Sequence, residues 1–81
     1  MDDGHWATNV ELQLRPGARF DAITGTRAAL TLLTTRWSTF GPAFFRAQNV
    51  CQAALDDRTS HEAARTAFIA AAREAGLWMR Y

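Results

Sequence analysis

Between His61 and Ala75, seven of fifteen residues are alanine, and helix signals frame the stretch at both ends. Thr59 followed by Glu62 reads as a capping box, in which each side chain satisfies a backbone N–H of the first turn. Gly76 supplies a left-handed C-terminal cap. Ala64, Ala67, Phe68, Ala71 and Ala75 recur at helical spacing on one side. A helix with such small inward side chains lets its neighbours approach closely. That constrains the chain to a thin, tightly packed domain. Across all 81 residues, sixteen of the 39 apolar residues are alanine, so 23 larger side chains must build the core. One domain of this size leaves little room for a deep catalytic cleft.

The rest of the chain supplies the partners of that helix. Residues 1–8 read as a flexible tail in which Trp6 alone has a large surface to bury, followed by a single domain over 9–81. Val10, Leu12 and Leu14 alternate with Glu11, Gln13 and Arg15, the pattern of a half-buried strand over 10–14. Pro16-Gly17 breaks it, and a second strand follows over 20–23. Facing residues of a hairpin point the same way. A loop of three or five residues would pair Leu14 with Phe20 and Leu12 with Ala22, giving one clean apolar face, and it would bring Arg15 and Arg19 together at the tip. A helix is expected over about 25–38, N-capped by a threonine of Thr24-Gly25-Thr26, with Ala29, Leu30, Leu33 and Trp37 inward. A second is expected over 42–56, opened by Pro42, with Phe44, Ala47, Cys51 and Leu55 inward and Phe45 on the polar side. The alanine-rich helix occupies about 60–75, and Leu77 to Tyr81 alternate as a short third strand over 77–81. The order β-β-α-α-α-β is an α+β fold, a small antiparallel sheet with helices on one face. A hairpin alone is marginal and must pack on those helices.

Trp37, Gly41, Ala47, Cys51 and Ala54-Leu55, then Ala64-Arg65-Thr66-Ala67-Phe68-Ile69-Ala70-Ala71-Ala72 with Glu74-Ala75-Gly76, form a pattern that resembles the domain of unknown function 982 family. These are short alphaproteobacterial proteins, abundant in rhizobia. The resemblance extends over about residues 10–79, and Ala-Arg-x-Ala-Phe-Ile is its most specific part. It implies a compact α+β domain in a bacterial cytoplasm and carries no activity. Asp57 departs from the pattern, standing where a glycine is expected in the turn after the second helix; this bears on the turn geometry and not on the fold.

Charge and chemistry narrow the functions further. Nine arginines, no lysine and eight acidic residues give a net charge of +1 with no run of one sign. Nucleic-acid binders usually carry a basic stripe, so that class is disfavoured, although arginines distant in sequence can converge in space. No stretch reaches the length of a membrane span, the N-terminus lacks the features of a signal peptide, and a lone cysteine cannot form an internal disulfide. A cytoplasmic protein without a membrane segment is expected.

Cys51 lies on an apolar stripe and reads as a small core hydrophobe rather than a nucleophile. His61 reads as a solvated first-turn residue. Asp56, Asp57, His61 and Glu62 match no metal-ligand spacing, and there is no phosphate-binding glycine motif; no catalytic residue, metal or cofactor is expected. Arg65 sits beside the apolar stripe, where it either braces the core with Glu62 as local partner or meets a ligand. Trp37, Phe40, Phe44 and Phe45 surround the Gly41-Pro42 corner. The leading expectation is a small non-enzymatic interaction or regulatory module whose partner is an unknown protein or a second copy, joined through a strand edge or helix face. Phe45, Trp78 and Arg65 are its candidate contacts. The alternative is nucleic-acid binding through Arg15, Arg19 and Arg80.

Overall fold

The computed structural model describes residues 4–81; residues 1–3 lie outside the described residues, as does that part of the expected tail. The elements run β1 (His5–Gln13), β2 (Asp21–Gly25), α1 (Thr26–Thr35), α2 (Pro42–Leu55), α3 (His61–Glu74) and β3 (Trp78–Arg80). The order is the expected one, and the antiparallel sheet runs β2-β1-β3, with the first strand in the centre. α1 packs on β2 and α3 on β1, while α2 packs mainly on α1 and α3 as a further layer.

β1 begins at His5, so residues 5–8 are not a loose tail. Trp6 explains the extension. Its ring is buried against Phe68, with centroids 5.9 Å apart. A large apolar ring with a partner outweighs the entropy of an otherwise unordered segment. Trp37 lies on another side of Phe68, at 5.7 Å, and the Phe68 side chain is wholly enclosed.

The hairpin register differs from the expected one. Val10 faces Ile23, Glu11 faces Ala22 and Leu12 faces Asp21. The Leu12–Ala22 pairing is absent, and the strands are joined by residues 14–20 rather than a three- or five-residue loop. Within that connection Arg15 and Ala18 close a turn, the Ala18 N–H donating to the Arg15 carbonyl at 3.1 Å, with Pro16 second and Gly17 third at φ 80°. That combination defines a type II turn. The expected register would bury Ala22 and Phe20 and expose Ile23. The observed one buries Ile23 with Val10 and Leu12 and leaves Phe20 at the surface, where the Arg80 guanidinium covers its ring at 4.1 Å. Asp21, brought to the core side, sits at the rim 3.8 Å from Arg36.

Three helix boundaries also moved for local reasons. α1 ends at Thr35, so Trp37 enters the core from the following loop and not from a helical stripe. Its N-cap is Gly25, with no side-chain cap. The threonine expected there, Thr26, is fully buried with its hydroxyl engaged elsewhere. The cap of α3 is Ser60, which accepts from the Ala63 N–H at 3.0 Å, in place of the Thr59–Glu62 box. Both α2 and α3 end in Schellman turns. Arg58 N–H reaches Ala53 and Asp57 N–H reaches Ala54 after α2; Leu77 reaches Ala72 and Gly76 reaches Arg73 after α3. Asp57 carries φ 61° in this turn and Gly76 φ 70° in the other. The turn after α2 thus keeps the glycine-type conformation without the glycine, since aspartate tolerates the left-handed region better than most residues.

The start of α2 is capped from a distance. The Glu74 carboxylate, at the end of α3, accepts from Ala43 N–H at 2.9 Å and Phe44 N–H at 3.1 Å. Gly41 makes room for it: a Cβ there would lie 2.5 Å from a Glu74 oxygen. A carboxylate on the free N–H groups of a helix start is favoured by both hydrogen bonding and the helix dipole. Glu74→Ala should therefore cost about 1 kcal/mol in a urea titration. Gly41→Ala should cost at least as much, and adding Glu74→Ala to it should cost little more. Additive losses would break the assigned link between Gly41 and Glu74.

The α3 seam is closed as its composition implies. Ala64, Ala67, Phe68 and Ala71 are buried, joined by Ile69 and Ala72. With alanine at the contacts, α3 lies close to β1 on one side and α2 on the other.

Candidate functional site

The polar side chains of the inner layer serve the fold. Trp6 Nε1–H donates to Thr26 Oγ1 at 3.0 Å, and the same hydroxyl lies 2.8 Å from His61 Nδ1. Having accepted from the indole, the hydroxyl still has a proton to give the imidazole. His61 is thus half-buried and tied to α1, not a solvated residue. The hydroxyl it meets is fully buried, so the contact ties α1 to α3 inside the fold.

Cys51 is fully buried, and burial pushes its thiol up to about 11 from its ordinary value of 9.0, because the charged thiolate loses its hydration. At pH 8 the folded protein should resist a disulfide reagent that reacts at once in guanidinium. Stability should also fall as pH climbs from about 9 to about 11: the unfolded thiol has released its proton while the folded one still holds it. A Cys51→Ala variant that loses stability just as steeply over that window would refute the assignment to this thiol.

The surface holds the remaining candidates. Arg65 is bound within the fold: its Nε–H donates to the Thr8 carbonyl at 3.0 Å, its Nη1 stands 3.7 Å from Glu62, and its side chain is only 15% exposed. It braces α3 against β1. Phe45 is 53% exposed and packs edge-on against Phe44 at 5.1 Å, and Phe40 packs edge-on against Phe44 at 5.0 Å. Trp78 is 73% exposed on β3, opposite Gln13 of β1. Phe45 and Trp78 thus lie on different parts of the molecule, one on α2 and one on the sheet.

Arg80 is engaged within the sheet. It faces Glu11 across β1 and β3, with Nε 3.1 Å from the carboxylate, and stacks on Phe20. The third arginine at the hairpin connection is Arg36, from the end of α1. With Arg15, Arg19, Asp21, Leu14, Gly17 and Ala18 it lines a cleft of about 660 Å³. Nothing in the linear sequence couples Arg36 to Arg15 and Arg19; the observed β1–β2 register and the short α1 bring it there. Among the described residues, no group of three or more histidine, cysteine or acidic residues is placed to hold a metal ion, and no helix is long and apolar enough to cross a membrane.

A family model described as protein of unknown function (DUF982) matches residues 8–79. The chain belongs to this family. The solved structures include a relative, the NMR structure of Agrobacterium tumefaciens protein Atu1219, at 30% identity and a TM-score of 0.79, covering 99% of this chain and 80% of that one. Among curated proteins none matches. DUF982 membership fits the closed α3 seam, because the pattern from Ala64 to Ala72 falls on the helix packed between β1 and α2. Within the family pattern, Gly41 and Glu74 meet in the α2 cap, and Cys51 and Phe68 both belong to the buried core. The most recognisable residues of this DUF982 chain are therefore those that hold it together.

Proposed function

We propose that this DUF982 protein acts by binding another chain rather than by catalysis, and that its first partner is a second copy of itself added at the β3 edge. The exposed Trp78 carries this reading. β3 lies at the end of the sheet with one side unpaired, and an open edge is a template for another strand. An indole standing free beside such an edge offers a large apolar surface for burial. Glu11–Arg80 and the Arg73–Tyr81 stack, 5.3 Å from guanidinium to ring, stiffen the surroundings of that edge. The Phe40–Phe44–Phe45 corner is a second apolar patch suited to a different protein partner. Arg65, bound within the fold, lends no support to a partner contact. We place the protein in the cytoplasm, where its single buried thiol would remain reduced.

Light scattering across a concentration series tests the dimer. The wild type should pass from monomer to dimer, and Trp78→Ser should remain monomeric with an unchanged circular-dichroism spectrum. A wild type that stays monomeric at millimolar concentration removes the self-association reading.

The alternative, nucleic-acid binding through Arg15, Arg19 and Arg80, has less support because Glu11 already neutralises Arg80. Salt-dependent binding of an oligonucleotide that is lost in Arg80→Gln would revive it.

A further inference from the structure

We propose that the cleft between the β1–β2 connection and the end of α1 is a binding site for a small phosphomonoester, whose phosphate is held by Arg15, Arg19 and Arg36. Three arginines line one cleft with a single acidic residue, Asp21. Asp21 stands 3.8 Å from Arg36, at the limit of an ion pair. No acidic side chain among the described residues pairs with Arg15 or Arg19. The cleft wall thus carries a formal +2, more than the +1 of the whole chain. Three like charges lining one cleft with a single carboxylate among them repel one another, and a bound dianion relieves that repulsion.

The donor geometry selects among anions. Each guanidinium offers a planar fork of N–H groups. A carboxylate has two oxygens and is saturated by one or two such forks. A phosphate monoester has three terminal oxygens and about two negative charges, which match three forks and the local +2. The size of the cleft argues for more than the phosphate alone. About 660 Å³ is in the range of sites for drug-sized molecules. Leu14 and Ala18 give one part of the wall an apolar surface for the organic portion. Pro16 and Gly17 fix the backbone turn that sets Arg15 and Arg19 on its two sides. Asp21 limits the affinity: its carboxylate faces the same cleft and opposes any anion there.

Amide chemical-shift titrations at low salt test the assignment, with AMP, inorganic phosphate, adenosine and a short oligothymidine as probes. AMP should bind saturably and shift amides within residues 14–21 and at Arg36. Inorganic phosphate should bind the same amides more weakly, and adenosine should not bind. Arg19→Gln and Arg36→Gln should each weaken AMP by about tenfold, the loss expected for one charge-assisted hydrogen-bonded contact. Asp21→Asn should tighten AMP, a gain that a merely structural role would not produce. Arg46→Gln, which removes a charge from α2, should leave AMP affinity unchanged. The proposal is overturned if AMP fails to saturate, if inorganic phosphate binds as tightly as AMP, if Arg46→Gln weakens AMP as much as Arg19→Gln, or if only the oligothymidine binds. None of these outcomes depends on whether the protein dimerises, because Trp78 lies outside the cleft.

Discussion

Phe68→Ala should cost about 3–5 kcal/mol and remove most of the stability of the domain. Phe68 is wholly enclosed, with Trp6 from β1 and Trp37 from the α1–α2 connection against its ring. Alanine would leave a cavity lined by two indoles. The backbones around it already meet through alanines, so there are few long side chains able to swing in and fill the space. A domain of this length has a total stability of roughly 4–12 kcal/mol, so the variant should melt well below the wild type. Thermal unfolding followed by circular dichroism would show it. A midpoint lowered by less than about 5 °C would mean that the core relaxes around the loss.

Thr26→Val is the second large effect, at about 2–3 kcal/mol despite an almost unchanged shape. Valine keeps the volume and deletes the hydroxyl that joins Trp6 to His61. The buried indole N–H then has no acceptor, and the imidazole loses its contact as well. Thr26→Ser, which keeps the hydroxyl and loses only a methyl group, should cost about 1 kcal/mol. Combining Thr26→Val with Trp6→Phe should cost less than the sum of the two, because the second change removes the stranded donor. Strict additivity in a urea titration would show that the indole does not depend on Thr26.

Much of the fold was legible because local chemistry and global packing agree. Alternation in 10–14, proline at the start of α2, alanine spacing in α3 and glycine at its end each name an element without reference to the rest of the chain. What escaped were choices made between elements. The hairpin register turned on whether Ile23 or Phe20 is buried: Ile23 joins Val10 and Leu12 in the core, and Phe20 is covered by Arg80, sixty residues away in sequence. Thr26 looked like a cap and is instead a core hydroxyl, because Trp6 and His61 converge on it. Glu74 caps a helix thirty-one residues before it. The surface candidates divided the same way. The exposure of Phe45 followed from its helical position, whereas the place of Arg65 beside the stripe left bracing and ligand contact open until its bond to the Thr8 carbonyl was seen. Arg36 beside Arg15 and Arg19 required the observed register and could not be read from spacing.

The strand order β2-β1-β3 has a consequence for how the protein is made. The hairpin and all three helices precede Trp78–Arg80 in the chain, so β1 must wait with one side bare until that last strand emerges. Until Leu12 meets Met79, the central strand of the finished sheet is an edge open to any other nascent chain. Three pairs close that edge once β3 arrives, Glu11 to Arg80, Leu12 to Met79 and Gln13 to Trp78. A stalled or truncated product ending before residue 78 should therefore aggregate more readily than its lost contacts alone would suggest.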